Sequence, residues 1–303
     1  MNVLLNIDLA PRHLEQIKST SVGVEFLNFD SPVEALKTMP DVDIVLGSIS
    51  PKMFRKASRL RWVQTVGAGA DWLFPEFVNS DVILTSAKGM VGIHLAEHAM
   101  ALLLGLTRGI ATSVRIKSWD QRMPIRNTSW ELINRTMGII GLGGTGCDLA
   151  DRAQAFGMRV IAVDPEPVEV PASVEACWLM DQFHTLLQQS DVVTVCAPLT
   201  VNTKGMFDRA AFEQMRHHAL LINVTRGEIV DEKALMNALK KGLIGGAGLD
   251  VTPQEPLPED HPLWRMHNVI VTPHTAGGSP NREDRLVDLF CENLRRIMDG
   301  TPM

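Results

Sequence analysis

Short apolar runs alternate with stretches of helical periodicity from the first residue onward. In the first third, Val3–Ile7, Val24–Leu27, Ile44–Gly47, Trp62–Val66 and Val82–Thr85 predict strands, separated by amphipathic segments such as Leu14–Lys18 and Pro32–Met39. Strand then helix, repeated, reads as βαβ units and a parallel sheet. After Lys88-Gly89 the texture changes. Gly92–Arg108 (GIHLAEHAMALLLGLTR) predicts a long helix, apolar nearly all round and so expected to be buried between domains or subunits. The polar, tryptophan-marked stretch Ser118–Arg135 reads as a surface connection into a second unit. That unit carries apolar runs at Met137–Gly141, Arg159–Asp164, Val192–Cys196, Ala219–Asn223, Gly246–Asp250 and Val269–Thr272. Six parallel strands is the count of a full doubly wound dinucleotide fold. From Pro280 onward the chain predicts one amphipathic helix, acidic early and closing on Arg295-Arg296 as the helix dipole favours.

Composition narrows the class. With 303 residues, 45% hydrophobic and 21% charged, the chain is neither disordered nor a small cysteine-stapled scaffold, and its length suits two domains. Lysine plus arginine (29) against aspartate plus glutamate (35) gives a formal charge of −6. With no basic block, neither a nucleic-acid nor an anionic-membrane partner is expected. The apolar window Ala99–Leu106 is far shorter than the roughly 20 residues of a membrane span, and the start MNVLLNIDLAPRH does not read as a signal peptide. Cys147, Cys177, Cys196 and Cys291 form no CxxC pair, so no disulfide framework or cysteine-based zinc site is expected, and a reducing cytoplasm fits.

Candidate chemistry begins at MGIIGLGGTGCDLADRAQAFGMRVIAVD, which carries Gly141-x-Gly143-x-x-Gly146 between a predicted strand and a predicted helix, Thr145–Phe156. Gly141 permits the tight turn, Gly143 lets the backbone approach a pyrophosphate, and Gly146 allows close helix–strand packing. The amides opening the helix then hold the phosphate charge. Asp164 follows Gly146 by 18 residues at a strand end, where a carboxylate accepts from ribose hydroxyls and repels a 2′-phosphate. NAD(H) is therefore expected in preference to NADP(H).

Four further stretches carry a resemblance. They are TVGAGAD (Thr65–Asp71), CAPLTVNTKGMF (Cys196–Phe207), NVTRGEIVDEKAL (Asn223–Leu235), and GLDVTPQEPLPEDHPLW followed by NVIVTPHTAG (Gly248–Gly277). Together they resemble the D-isomer-specific 2-hydroxyacid dehydrogenase family, over most of the chain from about Arg61. The resemblance implies an α/β protein of two doubly wound parallel-sheet domains. A discontinuous flavodoxin-like substrate domain would comprise residues 1–90 and 278–303, and a Rossmann NAD-binding domain residues 91–277. It implies Arg226, Glu255 and His274 as the catalytic set. His274 suits a general acid giving a proton to a carbonyl oxygen as hydride reaches carbon. Glu255 would bond its other ring nitrogen. The planar fork of Arg226 matches a substrate carboxylate.

By the same resemblance, Val66, Gly67, Ala68 and Gly69 would grip the substrate carboxylate through backbone N–H groups, with Arg226 and His274 completing the substrate site. Gly144 and Thr145 would join the fingerprint glycines at the pyrophosphate, though Thr145 stands where the family usually has isoleucine. Ala197, Pro198 and Thr203 would line the adenosine side. Val224, Thr225, Arg226, Asp250, His274 and Gly277 would flank the nicotinamide, with Asp250 accepting from its carboxamide. The expected reaction is NADH-dependent reduction of a small 2-oxo acid to the D-2-hydroxy acid by a homodimer, with the helix at 92–108 as dimer contact.

Two readings compete. His94, Glu97 and His98 match H-x-x-E-H, a zinc-peptidase pattern, although it lies inside the apolar helix. A non-catalytic NAD-sensing protein on the same fold is the other, because fold does not dictate function. The pair His217-His218 is expected to face solvent at a helix end.

Overall fold

The computed structural model describes residues 1–20, 23–27 and 32–302. The chain forms two compact units, Met1–Met90 with Ser279–Met303, and Val91–Gly278. Each is described by itself.

The first unit is a five-stranded sheet of β1 (Asn2–Asn6), β2 (Glu25–Leu27), β3 (Ile44–Gly47), β4 (Trp62–Gln64) and β5 (Ile83–Thr85). The strand order is β2-β1-β3-β4-β5, every pair parallel, with Val3 opposite both Phe26 and Ile44. Period-two alternation divides its apolar residues between two cores. Val3, Leu5, Ile44, Leu46 and Trp62 face one way. Leu4, Val45 and Val63 face the other, with Phe77. The predicted C-terminal helix forms over Arg282–Met298 and covers the first face with Leu286, Val287, Phe290, Cys291 and Leu294. The Phe290 ring stacks on Trp62 at 5.1 Å between centroids.

The second unit is a seven-stranded, wholly parallel sheet. It comprises β6 (Thr136–Ile140), β7 (Arg159–Val163), β8 (Ala176–Trp178), β9 (Val192–Val195), β10 (Leu220–Asn223), β11 (Gly246–Leu249) and β12 (Val269–Val271). Their order is β12-β11-β10-β9-β6-β7-β8. Six of these strands coincide with predicted runs to within a residue at each end. The seventh, Ala176–Trp178, was not expected; it pairs with Ile161–Val163 at the sheet edge, and its three half-buried residues leave too little alternation to read. Both faces are covered, so the strands are nearly continuously apolar. Ile140, Ile161, Val163, Val193, Val195 and Leu221 look into one core. Ile139, Val160, Ala162, Val192, Leu220 and Ile222 look into the other.

The helix Gly92–Thr107 belongs to this second core, burying Ala96, Ala99, Met100, Leu102 and Leu103 against the helix Gly144–Ala155 and strands β10 to β12. Two glycines permit that approach: a Cβ on Gly248 would come within 2.9 Å of Leu102, and one on Gly105 within 2.8 Å of Ile270. These side chains are covered within the helix's own unit, while Ile93 on the same helix stays exposed. The connection at 118–135 is not plain loop but contains the helix Arg122–Thr128. Among the described residues no single helix is long and apolar enough to cross a membrane.

Candidate active site

In an open parallel sheet, ligands bind at the carboxyl ends of the strands, beside the point where strand order reverses. Here that point lies between β9 and β6. Every candidate residue of the second unit follows a strand end or lies in the connection leaving one. Gly141–Gly146 follow β6, Asp164 follows β7, and Ala197 and Pro198 follow β9. Val224–Arg226 follow β10, Asp250 and Glu255 follow β11, and His274–Gly277 follow β12.

The glycine-rich turn is shaped for close approach. Gly141 has φ +92°, and a Cβ there would lie 2.9 Å from the Ala197 backbone. A Cβ on Gly146 would lie 2.3 Å from the Gly141 carbonyl oxygen, so only glycine lets the helix start this near the strand. A Cβ on Gly143, by contrast, meets nothing within 4 Å: the space before it is open. The helix Gly144–Ala155 starts there with no side-chain cap, which leaves its first amides for an anion. Asp164 is fixed at the end of β7, its two oxygens accepting from the amides of Leu142 (2.8 Å) and Glu166 (3.2 Å). Thr203 closes the loop after β9, donating to the Pro198 carbonyl at 2.7 Å and accepting from the Thr200 amide at 2.8 Å. An open, uncapped helix start beside a held carboxylate fits a dinucleotide.

At the other side of the switch point the structure brings His274 and Glu255 together. His274 Nδ1 lies 2.7 Å from Glu255 Oε2, with the two side chains 46% and 39% exposed. The carboxylate can only accept, so Nδ1 carries the proton and Nε2 is the nitrogen left for chemistry. Glu255 Oε1 accepts from the Thr252 amide at 3.1 Å, which fixes the carboxylate in turn. His274 has φ +53°, a left-handed conformation uncommon outside glycine. Its backbone is held by N–H bonds to the carbonyls of Asp250 (2.8 Å) and Thr272 (3.0 Å).

Arg226 leaves β10 with one guanidinium N–H on the Thr225 carbonyl (2.8 Å), while its own carbonyl accepts from Asn223 Nδ2 (2.9 Å). The next residue explains how this loop reaches the Glu255 loop. A Cβ on Gly227 would stand 2.0 Å from the Thr252 carbonyl carbon and 2.3 Å from Pro253 N. Gly227 is a site-building residue that the sequence reading did not single out. Its signal was a glycine immediately after the candidate arginine at a strand end.

Asp250 is more deeply engaged than a nicotinamide contact requires. Its side chain is fully buried. Oδ1 accepts from the Thr272 hydroxyl (2.6 Å) and the Thr275 amide (2.9 Å), and Oδ2 from the Ala276 amide (2.8 Å). Burial pushes its pKa up, but the His98 side chain beside Oδ1 (3.3 Å) together with these bonds outweighs it and holds the pKa down at about 2. Its first work is to fix residues 272–276.

The zinc-peptidase pattern does not form a centre. Glu97 faces Arg152 at 3.4 Å, His98 bonds Thr272 at 2.8 Å, and His94 is buried. No group of three or more metal-ligating side chains is placed to hold an ion among the described residues. His217 and His218 are exposed, as expected, in the turn that follows the helix Arg209–Gln214. His218 sits just before β10 with Nε2 2.7 Å from Asp191 Oδ1, at the amino edge of the sheet and away from the candidate site.

In the first unit, the loop after β4 has its carbonyls taken. Val66 O accepts from Arg282 Nη2 (2.9 Å), Gly67 O from the Thr65 hydroxyl (2.8 Å) and the Ala87 amide (2.9 Å), and Gly69 O from Trp72 Nε1 (3.1 Å). In a trans peptide the following N–H points the opposite way, so the amides of Gly67 and Ala68 turn outward from these anchors.

Comparison with known proteins agrees with this geometry. The profile described as "D-isomer specific 2-hydroxyacid dehydrogenase, NAD binding domain" matches residues 100–276, more than half of the chain. The chain belongs to this family. The dehydrogenase is 35% identical over 267 residues to a glyoxylate reductase of Korarchaeum cryptofilum, covering 86% of this chain and 79% of that one. It is 33% identical to a D-3-phosphoglycerate dehydrogenase of Methanocaldococcus jannaschii across 96% of its own length but only 56% of the relative's. A solved D-isomer specific 2-hydroxyacid dehydrogenase family protein of Aeromonas salmonicida superposes with a TM-score of 0.85 at 29% identity, covering 100% and 97% of the two chains. The protein is accordingly an oxidoreductase of a nicotinamide-dinucleotide-binding family that acts on small 2-oxo and 2-hydroxy acids.

Proposed function

We propose that the dehydrogenase reduces a small 2-oxo acid to the D-2-hydroxy acid with NADH, using His274, Glu255 and Arg226. The observation that carries the reading is the 2.7 Å contact between His274 Nδ1 and Glu255 Oε2. Reduced nicotinamide supplies the hydride when bound. His274 Nε2 delivers the proton to the carbonyl oxygen, and the Glu255 carboxylate balances the ring's charge while the ring is protonated. With the proton gone, Nε2 is an acceptor, so the same pair serves as base in the reverse direction. The planar guanidinium of Arg226 is the group proposed to bind the substrate carboxylate. In the first unit, the outward amides of Gly67 and Ala68 are proposed to bind a substrate carboxylate, as part of the Val66–Gly69 loop.

Gly141, Gly143, Gly144, Thr145 and Gly146 hold the pyrophosphate in this reading; Ala197, Pro198 and Thr203 line the adenosine, and Val224, Thr225, Asp250 and Gly277 the nicotinamide. Preference for NAD(H) rests on Asp164, whose fixed carboxylate repels a 2′-phosphate. The four free thiols support a reducing cytoplasm as the place of action. A homodimer is the assembly proposed, and exposed Ile110, Val114, Ile116 and Trp119 (87% exposed) offer it apolar surface; sedimentation at a dimer's mass tests that.

The test of the reaction is loss of nicotinamide absorbance with NADH and, separately, NADPH against a panel of 2-oxo acids including glyoxylate, hydroxypyruvate and pyruvate. Rapid NADH consumption with one acid, and little with NADPH, is expected. NADH binding without turnover of any acid would favour a dinucleotide sensor and sink the proposal.

A further inference from the structure

We infer that His98, on the helix Gly92–Thr107, is a positioning residue that sets His274 in place through Thr272 and Asp250. The inference rests on the acid–base role proposed for His274. His98 Nε2 lies 2.8 Å from the Thr272 hydroxyl and 3.3 Å from Asp250 Oδ1. Thr272 has a single hydroxyl proton, and at 2.6 Å that proton goes to Asp250 Oδ1. Towards His98, therefore, the hydroxyl can only accept, as can the carboxylate. His98 Nε2 must carry a proton. The result is a directed chain, His98 to Thr272 to Asp250.

That chain ends at the histidine proposed for catalysis. The Asp250 carbonyl accepts the His274 N–H, and its carboxylate accepts the next two amides, Thr275 and Ala276. Three successive N–H groups after β12 thus terminate on one buried residue. They hold His274 at φ +53°, a conformation that a side-chain-bearing residue keeps only when its surroundings fix it. Thr272, Thr275 and Ala276 lie in the same short segment as His274 and cannot anchor it from outside. His98 comes from a helix packed on β10, β11 and β12 and ties the cluster to that rigid element. Removing its N–H leaves the Thr272 oxygen short of a donor in a half-buried place and lets the segment drift. Drift of about 1 Å at a reacting group costs on the order of a hundredfold in rate.

The experiment compares His98→Leu, His98→Gln, His274→Ala and the double variant His98→Leu/His274→Ala. His98→Leu is expected to lower kcat about ten- to a hundredfold, with NADH binding and the KM for NADH within about threefold of the parent. His98→Gln, which keeps an N–H donor, recovers most of the loss. In the His274→Ala background the leucine substitution changes kcat by no more than about twofold, because its effect passes through the missing ring. Equal losses in both backgrounds, or no loss in either, would overturn the inference. Near-normal turnover by His274→Ala would instead overturn the acid–base role beneath it. Long-range ¹H–¹⁵N correlation of the resting protein gives a readout independent of turnover: a protonated His98 Nε2 is expected, and an unprotonated one breaks the chain.

Discussion

Replacing Gly143 with alanine separates what the fold needs from what the dinucleotide needs. A Cβ at Gly146 would press to 2.3 Å on the Gly141 carbonyl oxygen, whereas one at Gly143 meets no atom within 4 Å. Gly143 also sits at φ −83° and ψ −164°, extended backbone that alanine adopts freely. Alanine costs a few tenths of a kcal/mol or more at a helix N-cap and regains a similar amount by restricting the unfolded chain. The net change in stability is thus expected within about 0.5 kcal/mol. The methyl group does, however, fill the space through which the backbone approaches a pyrophosphate. Moving the phosphates away from the open helix amides should weaken NADH about ten- to a hundredfold, or about 1.4–2.8 kcal/mol. Thermal unfolding of the free protein and fluorescence titration with NADH give both numbers on one sample. Gly146→Ala is the contrast and should lower Tm outright. If Gly143→Ala binds NADH as tightly as the parent, the pyrophosphate does not lie against this turn.

Other substitutions reach the rest of the site. Gly227→Ala must open the Arg226 loop from Thr252-Pro253 by at least about 1 Å, so kcat/KM should fall on the order of a hundredfold; an unchanged value would show that this packing does not set the site. Glu255→Gln removes the carboxylate that accepts from His274 Nδ1, so kcat should fall about ten- to a hundredfold with NADH affinity unchanged, and an unchanged kcat would contradict the pairing. Asp250, held at about 2 against an ordinary 3.8, stabilises the fold above pH 4 and loses that contribution as pH falls towards 2. The contribution amounts to about 2 kcal/mol, so Asp250→Asn should flatten the acid limb of urea-unfolding stability by that much, and parallel limbs would refute it.

Much of this was readable from the chain because the apolar runs are strong and both sheets are parallel. A strand buried on both faces announces itself, as Val192–Val195 and Leu220–Asn223 do. Ala176–Trp178 does not, being three half-buried residues at an edge. The helix at 92–107 was recognised, but a stretch that is apolar nearly all round does not say that the helix Gly144–Ala155 and strands β10 to β12 bury one side of it. Asp164, Arg226, Glu255 and His274 were candidates from motif and strand end, and the structure places each of them after a strand of the second sheet. What escaped were features of packing between distant segments. Gly227 matters for a backbone 25 residues on. His98 meets a threonine 174 residues away, so its local spacing suggested a metal pattern instead. Spacing reports neighbours on one helix, while the site is assembled across strand ends.

The most direct measurement is kcat for His274→Ala with NADH and the best 2-oxo acid, beside its NADH affinity. A loss of about 10²–10⁴-fold with affinity unchanged is the expected result, the usual worth of a positioned acid. Turnover within tenfold of the parent would mean that the proton comes from elsewhere, and that the His274–Glu255 pair is not the acid–base centre of this dehydrogenase.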